Sequence, residues 1–216
     1  MAALQRGLKR GPLPADQQAM LAARTVLHHR HLIPARGQLD LAGRVKLFAH
    51  YVEREFGTVT QLPNIAAVPQ AISTYLAQQN IAPSVVVSPH PALEQIPFHA
   101  SPMLQVRYGV ATAHDAVSLQ VAFAGVAETG TLVLPSAPTR PVKNNLLPDT
   151  AIVLLRAVDI LACYEDAFDR LRLEGAMPRS VMLITGPSRS ADIEQTLELG
   201  AHGPRRLHVL IIDGQG

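Results

Sequence analysis

The chain has 216 residues, 48% of them hydrophobic and 17% charged, with a formal charge of +2. Such a length and composition fit one globular domain with a short extension and exclude wholesale disorder. So small a charge, with 4% aromatics and no Trp, argues against nucleic acid or an anionic membrane surface as a main partner.

Residues 1–37 form an N-terminal extension, expected to be partly helical, and residues 38–216 an α/β domain. The opening "MAALQRGLKRGPLPADQQ" has basic residues with no apolar segment after them. No run in the chain approaches the ~20 apolar residues of a transmembrane helix. A cytoplasmic protein without a membrane span is therefore expected. "ADQQAMLAARTVLHHRHL" is made of good helix formers. Its basic end, His28-His29-Arg30-His31, suits a helix C-terminus, with no carboxylate or cysteine beside it to complete a metal ligand set.

Leu41, Val45, Phe48 and Val52 share one helix face, and Val68, Ile72, Tyr75 and Leu76 share the next. "SVVVSP" and "MLQVRYG" read as strands. In "VSLQVAFAGVAETGTLVLPS" a first strand carries Leu119, Val121 and Phe123, and "TLVL" is a second. Residues 135–149 form a long loop with four prolines and two cations, Arg140 and Lys143. Loops of that length in a compact domain are often functional or mobile. "TAIVLL" is a buried strand, and Ile160, Tyr164, Phe168 and Leu171 give a helix face. "SVMLI" reads as a strand, "SADIEQTLELG" as a short helix and "RLHVLIID" as a last strand. Continuous apolar strands alternating with helices predict a largely parallel sheet covered on both faces, with ligands at the carboxyl ends of its strands.

The single cysteine, Cys163 in "DILACYEDAFDRL", reads as a small apolar residue. It rules out an internal disulfide, a structural cysteine zinc site and an iron–sulfur cluster held by this chain alone. "ITGPSRSADIE" draws attention for another reason. Gly186 permits an unusual strand exit, Pro187 stiffens it, Ser188 or Ser190 can cap a helix, and Asp192 suits its first turn. Arg189 does not fit, since a cation at a helix start is electrostatically disfavoured. An anion there would reverse the sign, with amides, hydroxyls and guanidinium converging on a phosphate or carboxylate. Solvent, or a neighbouring carboxylate, would serve Arg189 equally well. The stretch is neither a Walker loop nor a GxGxxG fingerprint.

In "AETGT" a carboxylate, Glu128, lies between two strands beside Gly130. It suits an acid, base or nucleophile, or a turn that faces water. His202 and Gly203, in "LGAHGPRRLHV", read as a ligand-binding loop or a plain turn. His114 and Asp115 form an acid–base-capable pair, although Asp115 also reads as a helix cap.

Together, "AETGTLVL", a loop containing "LLP", and "ITGPSRSADIEQTLELGAHGPRRLHVLIID" resemble the LUD-domain family, and within it the branch of lactate utilization protein C. The match is good from about residue 105 onward and weaker before it. One departure is Asn145, which stands where the loop usually has a serine. The resemblance implies a three-layer α/β/α architecture similar to the sugar-phosphate isomerase and CoA-transferase folds. It further implies a role in oxidising L-lactate to pyruvate beside iron–sulfur partner proteins. With one cysteine, this chain looks like the cluster-free subunit of such a system. Related CoA-transferases use a glutamate before an x-Gly, and Glu128-Thr129-Gly130 is similar to that.

The expected site therefore comprises Glu128 as a proton-transfer group with Thr129, Gly130 and Thr131 beside it. Gly186, Pro187, Ser188, Arg189, Ser190, His202 and Gly203 would surround a small carboxylate or phosphate, with Arg140 as a second clamp. Two alternatives stand. One is a stand-alone enzyme on a sugar phosphate or CoA ester with Glu128 as base or nucleophile. The other is a regulatory module that binds a ligand without chemistry.

Overall fold

The computed structural model describes residues 7, 11–30, 32–191 and 197–213. The chain divides into two compact units at residues 33/34. In the first, helix α1 (Ala15–Leu27) ends at His28, whose φ of 45° stops it and whose amide donates to the Arg24 carbonyl; none of the helix's residues is buried.

The second unit opens on α2 (Leu41–Arg54). Asp40 caps it by accepting from the Gly43 amide, and Val45, Phe48 and Val52 form its buried stripe. Strand β1 (Thr58–Leu62) follows. Helix α3 (Val68–Gln78), with a proline in its first turn, buries Val68, Ile72, Tyr75 and Leu76. Then come β2 (Ser84–Val87), the single-turn α4 (Pro91–Glu94), β3 (Gln105–Tyr108), β4 (Val117–Val121), β5 (Ala124–Val126) and β6 (Thr131–Pro135). The chain continues through α5 (Lys143–Leu146), β7 (Thr150–Arg156), β8 (Ile160–Leu161), α6 (Tyr164–Leu173) and β9 (Val181–Ile184). It closes with β10 (Arg189–Ala191), β11 (Leu197–Leu199) and β12 (Arg206–Ile212).

Six strands build a wholly parallel sheet in the order β1-β12-β7-β4-β2-β3. One face packs on α3 and α4 through a core that includes Leu76, Leu93, Leu119, Ile152 and Leu210. The opposite face packs on α2 and on a second sheet of order β8-β5-β6-β9. That second sheet lays its own outer face on Ala167 and Leu171 of α6. Buried on both faces, the central strands are free to be continuous Val, Leu and Ile runs. The expected α/β layering is present, with an added sheet in one flanking layer.

Two local expectations are corrected. β9 does not join the parallel sheet but pairs antiparallel with β6, Leu132 opposite Ile184. The reason lies at Ala122–Phe123, where the chain leaves the first sheet and β5 starts the second. The apolar alternation runs on unbroken, so β4 and β5 read as one strand. The helix expected after Ser188 is also absent from the described residues around it. Arg189–Ala191 pairs antiparallel with Leu197–Leu199 instead. The Ser188 amide donates to the Pro204 carbonyl and its carbonyl accepts from the Gly200 amide, which ties both arms into a ribbon. Tertiary ties of this kind override helix propensity. Asp192 and Glu194 lie outside the described residues.

The long loop before β7 is anchored through Asn144, which is fully buried. Its Oδ1 accepts from the Ala111 amide (2.7 Å), and its Nδ2 donates to Ser88 Oγ (2.9 Å) and the Gly109 carbonyl (3.0 Å). Its carbonyl accepts from Ser118 Oγ and Gln120 Nε2, both at 2.7 Å. A side chain with all its polar atoms satisfied in the core fixes one loop conformation.

Candidate functional site

The expected site residues fall into two places, at opposite ends of the β5–β6 hairpin. At its turn, Gly130 has φ 67°, and a Cβ there would stand 2.7 Å from Tyr51 Cβ and the Val52 amide nitrogen of α2. Glu128 is 4% exposed, and its Oε2 is buried without a hydrogen-bond partner among the described residues. Its Cβ faces Gly37, where an added Cβ would meet it at 3.3 Å. Thr129 and Thr131 spend their hydroxyls on each other (2.7 Å) and on the Tyr164 hydroxyl, at 3.1 and 2.7 Å. Thr131 also meets Thr185 Oγ1 at 2.7 Å.

Gly186 (φ 78°) abuts the carbonyl of Glu55, which leaves no room for a Cβ. Pro187 follows it in the same turn. Ser188 Oγ accepts from the His202 amide at 3.2 Å, and Gly203 packs near the Ser188 Cβ. The structure thus brings Gly186–Arg189 together with His202 and Gly203. Ser190 lies in β10 rather than at a helix start. Arg189, the residue that did not fit, stacks on Phe56 with its guanidinium carbon 3.5 Å from the ring centroid. Arg189 lies in β10, where no helix dipole acts on it among the described residues, and the aromatic face is its partner.

Arg140 is elsewhere. It lines a cleft of about 530 Å³ beyond the other end of the hairpin. The cleft floor is the carboxyl end of the parallel sheet: Val121 ends β4, Arg156 ends β7 and Ile212 ends β12. Asp159, just past β7, is 6% exposed. It accepts from Arg156 Nε (2.6 Å) and Nη2 (3.0 Å) and from Arg170 Nη1 of α6 (2.7 Å). Arg170 also lies over the Phe123 ring, 4.7 Å from its centroid. Arg140 differs from both, for its Nε is buried with no hydrogen-bond partner among the described residues. Burial lowers its pKa, an effect that Glu174 opposes and Arg170 reinforces.

Three guanidiniums thus face two carboxylates in the cleft lining. His90 does not alter that balance. Burial first, and the charge of Arg140 second, lower its pKa, which favours the neutral ring. One positive charge is left over in a partly dry cleft, and the buried Arg140 Nε has no partner among the described residues until an acceptor arrives. The arrangement suits a ligand whose head carries one negative charge.

Of this cleft, sequence reasoning found Arg140 alone. Arg156 with Asp159, Arg170 and His90 come from three separate segments. The one available signal was Arg-Ala-Val-Asp at the end of a buried strand, where α/β ligands bind. His208 was also missed. In the middle of β12 it stacks on Tyr75, ring centroids 4.0 Å apart, with Nδ1 2.8 Å from Thr58 Oγ1. Burial pushes its pKa down to about 4.

The remaining candidates resolve locally. Asp115 accepts from Arg107 and from the amide and hydroxyl of Thr112. Burial works against its charge, but those donors hold its pKa below the usual carboxylate range. Cys163 is fully buried, and burial pushes its thiol up to about 11, the setting of an inert packing group. Among the described residues there is no group of three His, Cys, Asp or Glu placed to hold a metal ion, and no helix long and apolar enough to cross a membrane.

Fold and cleft together define an α/β protein with an arginine-lined cleft at the carboxyl ends of a parallel sheet. Residues 111–212, a little under half of the chain, match the model of the LUD domain. It is 43% identical over 89 residues to an uncharacterised protein of Neisseria meningitidis serogroup B, covering 41% of this chain and 38% of that one. Lactate utilization protein C of Bacillus subtilis is 38% identical over 93 residues, covering 41% of this chain and 39% of its own length. That of Shouchella clausii is 34% identical over 91 residues, covering 41% and 40%. The alignments thus span about two fifths of the length of these curated relatives. A crystal structure of a DUF162 family protein from Deinococcus radiodurans shares the fold, with TM-score 0.60, 21% identity, and coverage of 81% of this chain and 99% of that one.

Proposed function

We propose that this chain acts in lactate utilization as a cluster-free, non-redox subunit, and that its arginine cleft receives a small monoanion such as a carboxylate. The observation that carries the ligand half is Arg140, a guanidinium with a buried, unpartnered Nε in a cleft with one surplus positive charge. The assembly half is supported by the names of the relatives and by the single cysteine. Electron transfer then belongs to iron–sulfur partner proteins, and this chain contributes ligand binding. The cleft is favoured over the turn at 186–190 as the place for the anion, because Arg189 stacks on Phe56 and the described residues after Ser188 form a strand rather than a helix start.

The test is capture of the tagged full chain from its own cells without oxygen, followed by an absorption spectrum and mass spectrometry. Co-purification of cysteine-rich proteins with iron–sulfur absorption and dye-coupled lactate oxidation is the expected result. Lactate oxidation by the purified chain alone would refute the subunit reading.

A second reading keeps Glu128 as the base or nucleophile of a stand-alone sugar-phosphate or CoA-ester enzyme. Its orphaned Oε2 favours that role. Its enclosure under Gly37 opposes it, because a base must come within hydrogen-bond reach of the proton it takes. Under the subunit reading, Glu128→Gln leaves carboxylate affinity unchanged by calorimetry.

A further inference from the structure

The cleft holds one more group whose protonation state and direction are fixed by its surroundings. His90 precedes α4 and caps it, accepting the Ala92 amide through Nδ1 at 3.2 Å. A ring nitrogen that accepts is unprotonated, so in the neutral ring the proton sits on Nε2. Nε2 lies on the side of the ring away from that amide, and the ring shares the lining of the cleft with Arg140. The positive charge of Arg140 acts on the ring. The charged groups facing the same space are Arg156, Arg170, Asp159 and Glu174.

The cleft therefore offers two kinds of donor side by side. Arg140 is a cation suited to a carboxylate. His90 is a neutral N–H suited to a neutral oxygen acceptor. Asp159, the buried carboxylate nearby, already accepts three bonds from Arg156 and Arg170. Glu174 and the side-chain carbonyls of Asn64 and Gln95 share the lining and can accept, so an oxygen on the carbon next to the carboxylate fits as a carbonyl or as a hydroxyl.

We propose that His90 is a specificity-determining residue of the cleft: Arg140 takes the carboxylate of a 2-oxo or 2-hydroxy monocarboxylate, and His90 Nε2–H donates to the oxygen on the neighbouring carbon. The ligand class is thus a monocarboxylate with an oxygen on that carbon, in preference to an unsubstituted one. The inference rests on the cleft being the anion site. It makes His90 a group that senses the carbon next to the carboxylate.

The test is calorimetry on the full chain with acetate, L-lactate and pyruvate, in the wild type and in His90→Asn, His90→Gln and Arg140→Ala. Asparagine keeps an acceptor for the Ala92 amide and so keeps the cap, but it does not reach the Nε2 position. Glutamine keeps an N–H near that position. Wild type should prefer pyruvate and L-lactate over acetate by roughly three- to tenfold, the range of one neutral hydrogen bond. His90→Asn should keep its acetate affinity and melting temperature and bind pyruvate and L-lactate no better than acetate, while His90→Gln retains part of the preference. A preference that survives in His90→Asn, or is missing from wild type while acetate still binds, overturns the role of His90 alone. Acetate affinity that is unchanged in Arg140→Ala overturns the cleft as the anion site, and the inference with it.

Discussion

The two ends of the β5–β6 hairpin are built on opposite principles. At the turn, polar groups mostly satisfy one another, with Glu128 Oε2 the exception: Thr129, Thr131, Tyr164 and Thr185 share a hydroxyl cluster, Ser188 holds the His202 amide, and Arg189 rests on Phe56. At the other end, in the cleft, guanidiniums outnumber carboxylates and Arg140 has a buried nitrogen with nothing to bond. A region that closes its own hydrogen bonds gains nothing from a ligand. A region left with surplus charge is completed by one. Motif-rich sequence here builds a mostly self-satisfied turn, and a scattered set of arginines leaves the surplus charge.

The largest expected effect tests whether either end governs acid stability. His208, in the parallel sheet, has its pKa depressed to about 4 against an ordinary 6.5. Above pH 6.5 the imidazole is neutral in both states, and the stability it permits is fully present. As pH falls below 6.5 the unfolded chain takes up a proton that the folded chain refuses until about pH 4. Stability should fall by about 3 kcal/mol across that window. Denaturant titrations at successive pH values check this, and His208→Gln should flatten the slope. A slope unchanged in that variant would move the acid-sensitive group to the cleft or the turn.

Next is Gly130→Ala, which asks whether the turn is scaffold. Its positive φ and the backbone of α2 against it leave no room for the methyl group. A destabilisation of about 2–3 kcal/mol is expected by denaturation, since backbone atoms cannot yield as a flexible side chain can. Carboxylate affinity measured on the folded fraction should stay as in wild type. A loss of affinity instead would return the turn to the binding site.

The third bears on the cleft's charge balance. Asp159→Asn removes the carboxylate shared by Arg156 and Arg170. Since those partners are part exposed, the cost in stability should be about 2 kcal/mol rather than the larger figure for a fully buried pair. The surplus charge rises from one to two, so affinity for inorganic phosphate should increase relative to acetate. Calorimetry with both anions reads the shift, and an unchanged ratio would mean that Asp159 does not set the charge of the ligand.

Much of the fold was legible because periodicity is local. The stripes of α2 and α3 and the apolar runs of β7 and β12 are readable from neighbours alone. β1 was not, because Thr-Val-Thr-Gln-Leu is an edge strand with partly exposed positions. Its register is set by β12, with Thr58 opposite His208, 150 residues away. The passage from β4 to β5 was hidden because both sheets bury their strands, so hydrophobicity does not mark the crossing. The cleft was mostly illegible for a related reason. Arg140, Arg156 and Arg170 meet only after the loop, the parallel sheet and α6 have packed, and spacing along the chain carries no trace of it.

The smallest effect is the most direct comparison of the two ends. Arg189 and Arg140 are both arginines that a motif reading would assign to one anion. In the structure Arg189 is exposed and stacked on Phe56. Removing its side chain should cost only about 0.5–1 kcal/mol of stability, the worth of an exposed cation–π contact. It should leave acetate affinity where it was. Arg140→Ala should do the reverse, weakening acetate by about 1.5–3 kcal/mol through loss of a charged hydrogen bond. Removing the unpartnered Nε should at the same time leave the apo protein about as stable as wild type. Run side by side, denaturation and calorimetry on the two variants form a crossed pattern, stability against affinity. An uncrossed result, with Arg189→Ala weakening the anion and Arg140→Ala not, would place the ligand at the turn after all. The surplus charge of the cleft would then have to be balanced by something other than a carboxylate.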